Sequence, residues 1–194
     1  AILDVSNFNT SNVTSMEAMF ANCSGLTSLD VTKFDTEKVT TMYAMFYGCS
    51  SLTELNLQNF KTANVKNMNM MFQFCSGLTS IDVSGFNTGN AENISQMFCK
   101  CSGLTSLDLS NFNTEKVTKM SAMFSECSAL TSINLSSFNT SAIADIYGLF
   151  NMFYGCSSLT TLDLSSFNTS TVDNMIQMFF NCGNLETIYV GDKW

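Results

Sequence analysis

A 26-residue pattern starts at Leu3 and restarts at Leu29, Leu55, Ile81, Leu107, Ile133, Leu162 and, as a stub, Ile188. The units are 3–28, 29–54, 55–80, 81–106, 107–132, 133–161, 162–187 and a partial 188–194, and only the sixth departs from the period, at 29 residues. One such unit cannot bury its apolar side alone. Neighbours must stack on one another, so residues 1–194 are expected to form a single solenoid around one continuous core.

Within each unit, apolar residues recur at positions 1, 3, 6, 11, 14, 17, 18, 21 and 24. Across a unit boundary, Leu26-Thr-Ser-Leu29-Asp-Val31-Thr-Lys-Phe34 alternates apolar and polar residues around Asp30, the signature of a short strand. The run is close to the strand pattern of leucine-rich repeats, with Phe34 where Asn is more usual. From Val13 through Met16, Met19 and Phe20 to Cys23 the steps are 3, 3, 1 and 3. That spacing reads as one face of a short helix, part of it 3₁₀, with Thr14 and Glu17 as a capping box. The fold expected is an α/β solenoid: a leucine-rich-repeat-like right-handed coil with a parallel β-sheet on one face and short α or 3₁₀ helices on the other. Stacking turns Phe8 and Phe20 with their equivalents into two aromatic ladders, and the methionines fill the space between.

Phe8-Asn-Thr10, Val13-Thr-Ser-Met16-Glu-Ala-Met19-Phe20, Cys23 and Leu26-Thr-Ser-Leu29-Asp-Val31 together resemble the repeat of BspA-type leucine-rich-repeat surface proteins of bacteria. The resemblance runs over essentially the whole chain. It implies a secreted or cell-wall-displayed solenoid that adheres to host or neighbouring cells, and it brings no catalytic residues.

Composition narrows the chemistry. Histidine is absent, which removes the commonest general base, the Ser-His-Asp and Cys-His systems and histidine-ligated zinc. Sixteen carboxylates against eight lysines give a net charge of −8, which repels nucleic acid and anionic membranes. No stretch is long and apolar enough for direct membrane insertion, and no leader is visible. Without an initiator methionine, the chain reads as a mature or excised segment of something longer. No cofactor and no enzymatic activity are expected.

Three features could carry function. Strand position 2 reads Asp4, Asp30, Asn56, Asp82, Asp108, Asn134 and Asp163, an outward acidic stripe on the concave face. It suits a basic partner or a weakly held Ca²⁺ through Asp82 and Asp108; the plain alternative is a solvated face that resists aggregation. The lengthened unit adds about one helical turn around Ile143–Tyr154 and should push Tyr147, Phe150 or Tyr154 outward as a partner hot spot. Seven cysteines share one position and read as a ladder of free buried thiols. The eighth, Cys99, falls off that ladder and reads as a partly exposed thiol or a bridge to another chain. No metal site is expected, since Cys99-Lys-Cys101 alone is a weak ligand set. A regular threonine column from Thr10 to Thr169 would meet ice only if it lay flat and bare.

The function expected is bacterial cell-surface adhesion or recognition, outside the cell or secreted. The ligand would be a protein or glycan of a host or neighbouring cell, held by the solenoid surface. The alternative is a structural spacer or assembly segment of a larger surface protein with no ligand of its own. Apolar rungs at Ile2-Leu3 and Ile188–Val190 also suggest end-to-end or flanking-domain association.

Overall fold

A computed structural model describes residues 1–194 as coils that stack in a 26-residue register. Each coil bends where a short polar side chain captures the amide two residues on, as an Asx or Ser/Thr turn does. Three such corners recur, seen in the first coil as Ser6 N–H to Asp4 Oδ1, Ser11 N–H to Asn9 Oδ1 and Glu17 N–H to Ser15 Oγ.

The regular strands are β1 (Ser106–Asp108), β2 (Ser132–Asn134), β3 (Thr161–Leu164) and β4 (Thr187–Val190). β1 pairs in parallel with β2, Ser106 opposite Ser132, and β3 with β4, Thr161 opposite Thr187. Elsewhere the coils meet through single parallel bridges, such as Ser15 with Thr41 and Thr41 with Asn67. The continuous sheet expected along one face is therefore two separate two-stranded pairs.

The helices expected on the other side are absent, which overturns the α/β, helix-bearing leucine-rich-repeat-like solenoid. The reason lies in where the amides go. Alternate N–H groups leave the coil: Met16 donates to Thr41 O, Ala18 to Tyr43 O and Phe20 to Met45 O, at 2.8–3.0 Å. Only the residues between them bond locally, three back, as Met19 does to Met16 O and Ala21 to Ala18 O. An α-helix would spend every amide four residues back within its own segment and leave none for a neighbour. The result is a run of consecutive turns whose third residues, Ala18 (φ 52°) and Asn22 (φ 61°) in the first coil, take the positive φ that type II turns require. Thr14 and Glu17 cap no helix, and there is no helix long and apolar enough to cross a membrane.

Inside, one cluster of 51 buried residues runs from Val5 to Met178. The turn-side phenylalanines stack as a ladder: Phe20–Phe46, Phe46–Phe72 and Phe72–Phe98 lie 5.7, 5.7 and 5.5 Å apart between ring centroids. Phe98–Phe124, Phe124–Phe153 and Phe153–Phe179 continue it. The threonine column is not a surface array. Thr10, Thr36, Thr62, Thr88, Thr114 and Thr140 are buried, and Thr36 Oγ1 donates to Lys61 O at 3.1 Å while accepting Lys61 N–H at 2.7 Å. Each such hydroxyl fastens one coil to the next.

Candidate functional site

Every residue of the acidic stripe serves a corner. Oδ1 of Asp4, Asp30, Asn56, Asp82, Asp108, Asn134 and Asp163 accepts the amide of Ser6, Thr32, Gln58, Ser84, Ser110, Ser136 and Ser165 respectively, at 2.9–3.2 Å. That shared task explains why Asn stands in for Asp twice, since both offer the same Oδ1. The hydrogen bond also holds the five carboxyls below the usual carboxylate range. The stripe borders a shallow open groove at Asp30, Glu54, Asn56 and Asp82. No group of three or more His, Cys, Asp or Glu side chains could hold a metal ion.

Stripe substitutions separate the two roles. Asp163→Asn keeps the acceptor and should change stability by less than about 0.5 kcal/mol. Asp163→Ala removes it and should cost about 0.5–1.5 kcal/mol, read from urea denaturation. Equal costs for the two would show that the charge, not the turn, is what the position supplies.

All eight cysteines are free. The ladder thiols donate to the preceding coil's phenylalanine carbonyl, as Cys101 Sγ does to Phe72 O at 3.0 Å and Cys127 Sγ to Phe98 O at 3.1 Å. Cys99 is not the partly exposed thiol expected. It is buried beside Gln73 and Ser125, and burial pushes its pKa up. A protonated, enclosed thiol is a poor nucleophile and a poor bridge to another chain.

The lengthened unit does reach outward, but as a loop and not as a helical turn. Asp145 makes the corner, accepting Tyr147 N–H on Oδ1 and Gly148 N–H on its carbonyl. Gly148 closes the loop at φ +46°, where a Cβ would lie 2.5 Å from Asn174 O. The step of three breaks here: Ile143 and Leu149 are buried, whereas Ile146 is 73% exposed and Tyr147 55%. Phe150 and Tyr154 are half-buried at two outward positions of the coil. Ile176 and Phe180, not singled out from sequence, occupy the same two positions one coil on, at 61% and 49% exposure. Tyr154 stacks on Phe180 at 5.3 Å, Tyr147 meets Phe150 at 6.5 Å, and Asn174 Nδ2 donates to Ile146 O. The signal was available: down this one column, Gln73, Cys99 and Ser125, all buried, give way to Tyr154 and Phe180 in the last two full coils.

These groups can bind but are not set up for catalysis. Where a carboxylate departs from its ordinary pKa it goes down, and where a thiol departs it goes up, so neither a proton donor nor a thiolate is poised at neutral pH.

No curated protein matches the chain. It has a weak structural similarity to a leucine-rich repeat protein from Eubacterium ventriosum, at 15% identity and a TM-score of 0.34, over 98% of this chain and 70% of that one. A TM-score that low carries no weight for fold or function. The family described as "Mycoplasma protein of unknown function, DUF285" matches over residues 2–106 and again over 75–194. Those two spans overlap and together reach nearly end to end, and the chain belongs to that family.

Proposed function

We propose that the chain is a recognition module displayed outside a bacterial cell, binding a partner protein through the outward face of its last two full coils. The observation that carries this reading is the cluster of Ile146, Tyr147, Phe150, Tyr154, Ile176 and Phe180 on a backbone locked by coil-to-coil hydrogen bonds. Exposed aromatics on a rigid support make interface anchors at small entropic cost. The resemblance to BspA-type surface proteins supports the extracellular setting and an adhesive role.

The spacer reading draws on a different observation. The acidic stripe, the most regular polar feature of the surface, is employed in the coil's own corners. The purified chain, immobilised and screened against host-matrix proteins and glycans, separates the two. A recognition module retains a defined protein, and Tyr147→Ser with Phe180→Ser weakens that binding at least tenfold while the fold persists. A spacer retains nothing, and that result would overturn the recognition reading.

A further inference from the structure

We infer that the outward cluster of the last two full coils takes a lysine- or arginine-bearing segment of a partner protein, the cationic side chains lying over its rings. This rests on the recognition reading above and specifies the chemistry of the partner.

Charge is distributed unevenly along the chain. Residues 120–192 contain no lysine or arginine but six carboxylates: Glu126, Asp145, Asp163, Asp173, Glu186 and Asp192. The three salt bridges, Lys61–Glu37, Lys66–Glu92 and Lys100–Glu126, all involve lysines from the earlier part of the chain. Beyond Glu126, the carboxylates have no ion-pair partner in the chain. Two of them lie in the segments that carry the exposed cluster. Asp145 forms the corner on which Tyr147 stands, and Asp173 precedes Asn174, whose amide holds the Ile146 carbonyl.

The same surface shows, a few coils earlier, what satisfies such a combination. Lys100 Nζ lies 5.0 Å above the centre of the Phe74 ring and 3.2 Å from Glu126 Oε1, so one ammonium covers a ring and neutralises a carboxylate. Phe74, Lys100, Glu126 and Tyr154 line one shallow groove. From Tyr154 to Asp192 the rings and carboxylates continue with no lysine or arginine among them. A partner that supplies Arg or Lys completes there what the chain completes for itself at Lys100. Arginine fits best, because its flat guanidinium can stack on a ring and pair with a carboxylate together.

The test uses the whole chain with ¹³C-labelled isoleucine methyls, so that Ile146 and Ile176 report from the cluster. The probes are a decapeptide alternating arginine and leucine, and counterparts with glutamine or glutamate in place of arginine. The arginine peptide should shift the Ile146 and Ile176 signals. Tyr147→Ser should weaken its binding about two- to fivefold. Asp173→Asn, which leaves packing untouched, should weaken it too, and Tyr43→Ser in the lysine-bearing half should not. Binding of the glutamine peptide as strong as that of the arginine peptide would overturn the inference and leave the recognition reading standing. No response to any peptide or to any protein in the screen would remove both. Shifts that grow with protein concentration alone would assign the face to a second copy. Arginine-peptide binding unchanged by Tyr147→Ser and Asp173→Asn would mean diffuse charge attraction. Either of those last two results also overturns it.

Discussion

Reduced chain carried from neutral to alkaline pH is expected to unfold while most soluble domains of its size still hold. Burial raises the pKa of Cys49 to about 11, and pushes Cys75 and Cys156 up as well. Cys101 and Cys127 stand well above the ordinary thiol value. A raised folded pKa means that the native state holds its protons more tightly than the unfolded chain. The stabilisation is thus complete below the unfolded thiol pKa of about 8.5, and it is lost as pH climbs toward the folded values. Each enclosed thiol forfeits about 1.4 kcal/mol per pH unit in that window. Cys75, Cys101, Cys127 and Cys156, each at most 1% exposed, together forfeit about 6 kcal/mol one unit above the unfolded value. That is comparable to the whole stability of many domains. Urea denaturation at stepped pH with reductant present should show the steep loss. The double variant Cys101→Ala with Cys127→Ala should flatten the slope by close to two protons. Stability that stays level to about pH 10.5 would mean the thiols are not enclosed as described.

Thr114→Val should destabilise the chain by about 3 kcal/mol although the two side chains have nearly the same shape. Thr114 is fully buried, and its hydroxyl donates to Asn139 O at 2.8 Å and accepts Asn139 N–H at 2.7 Å. Valine leaves both backbone groups enclosed and unpaired, each at a cost of about 1–3 kcal/mol. Thr114→Ser keeps both bonds and loses one methyl, so about 1 kcal/mol is expected. Thr169 is only half-buried, with a 3.4 Å contact to Lys193 O. Thr169→Val should stay within about 0.5 kcal/mol of wild type. The informative result in equilibrium unfolding is the ordering from largest loss to smallest: Thr114→Val, then Thr114→Ser, then Thr169→Val. If Thr114→Ser cost as much as Thr114→Val, packing and not the inter-coil bond would set the value.

The repeat, its register and its inward residues were legible because burial leaves a periodic apolar trace. Phe46, Met42, Cys49 and Leu52 are all fully buried where the period placed them. The helix was misread for a physical reason. Consecutive turns, each closed three residues back, bury Val39, Met42 and Met45 with the same step of three that a helix face shows. Side-chain period reports which residues face inward, not where the amides bond. The threonines' place was not legible in the same way, since a hydroxyl can be fully buried once a partner 25 residues on uses both its donor and its acceptor. For the stripe, the exchange of Asp for Asn at Asn56 and Asn134 already hinted at an oxygen acceptor and not a charge. In the candidate site, the insertion drew attention to Tyr147, but Ile146, Ile176 and Phe180 emerge only when outward residues are compared coil by coil.

The turn side of each coil is tied to the next coil and not coiled into helix. Scalar couplings across hydrogen bonds, measured by NMR on deuterated protein, test it amide by amide. Correlations are expected from the Ala44 amide to the Asn69 carbonyl and from the Phe46 amide to the Met71 carbonyl, both 25 residues on. Correlations from Phe46 to the Met42 carbonyl, four residues back, would contradict it.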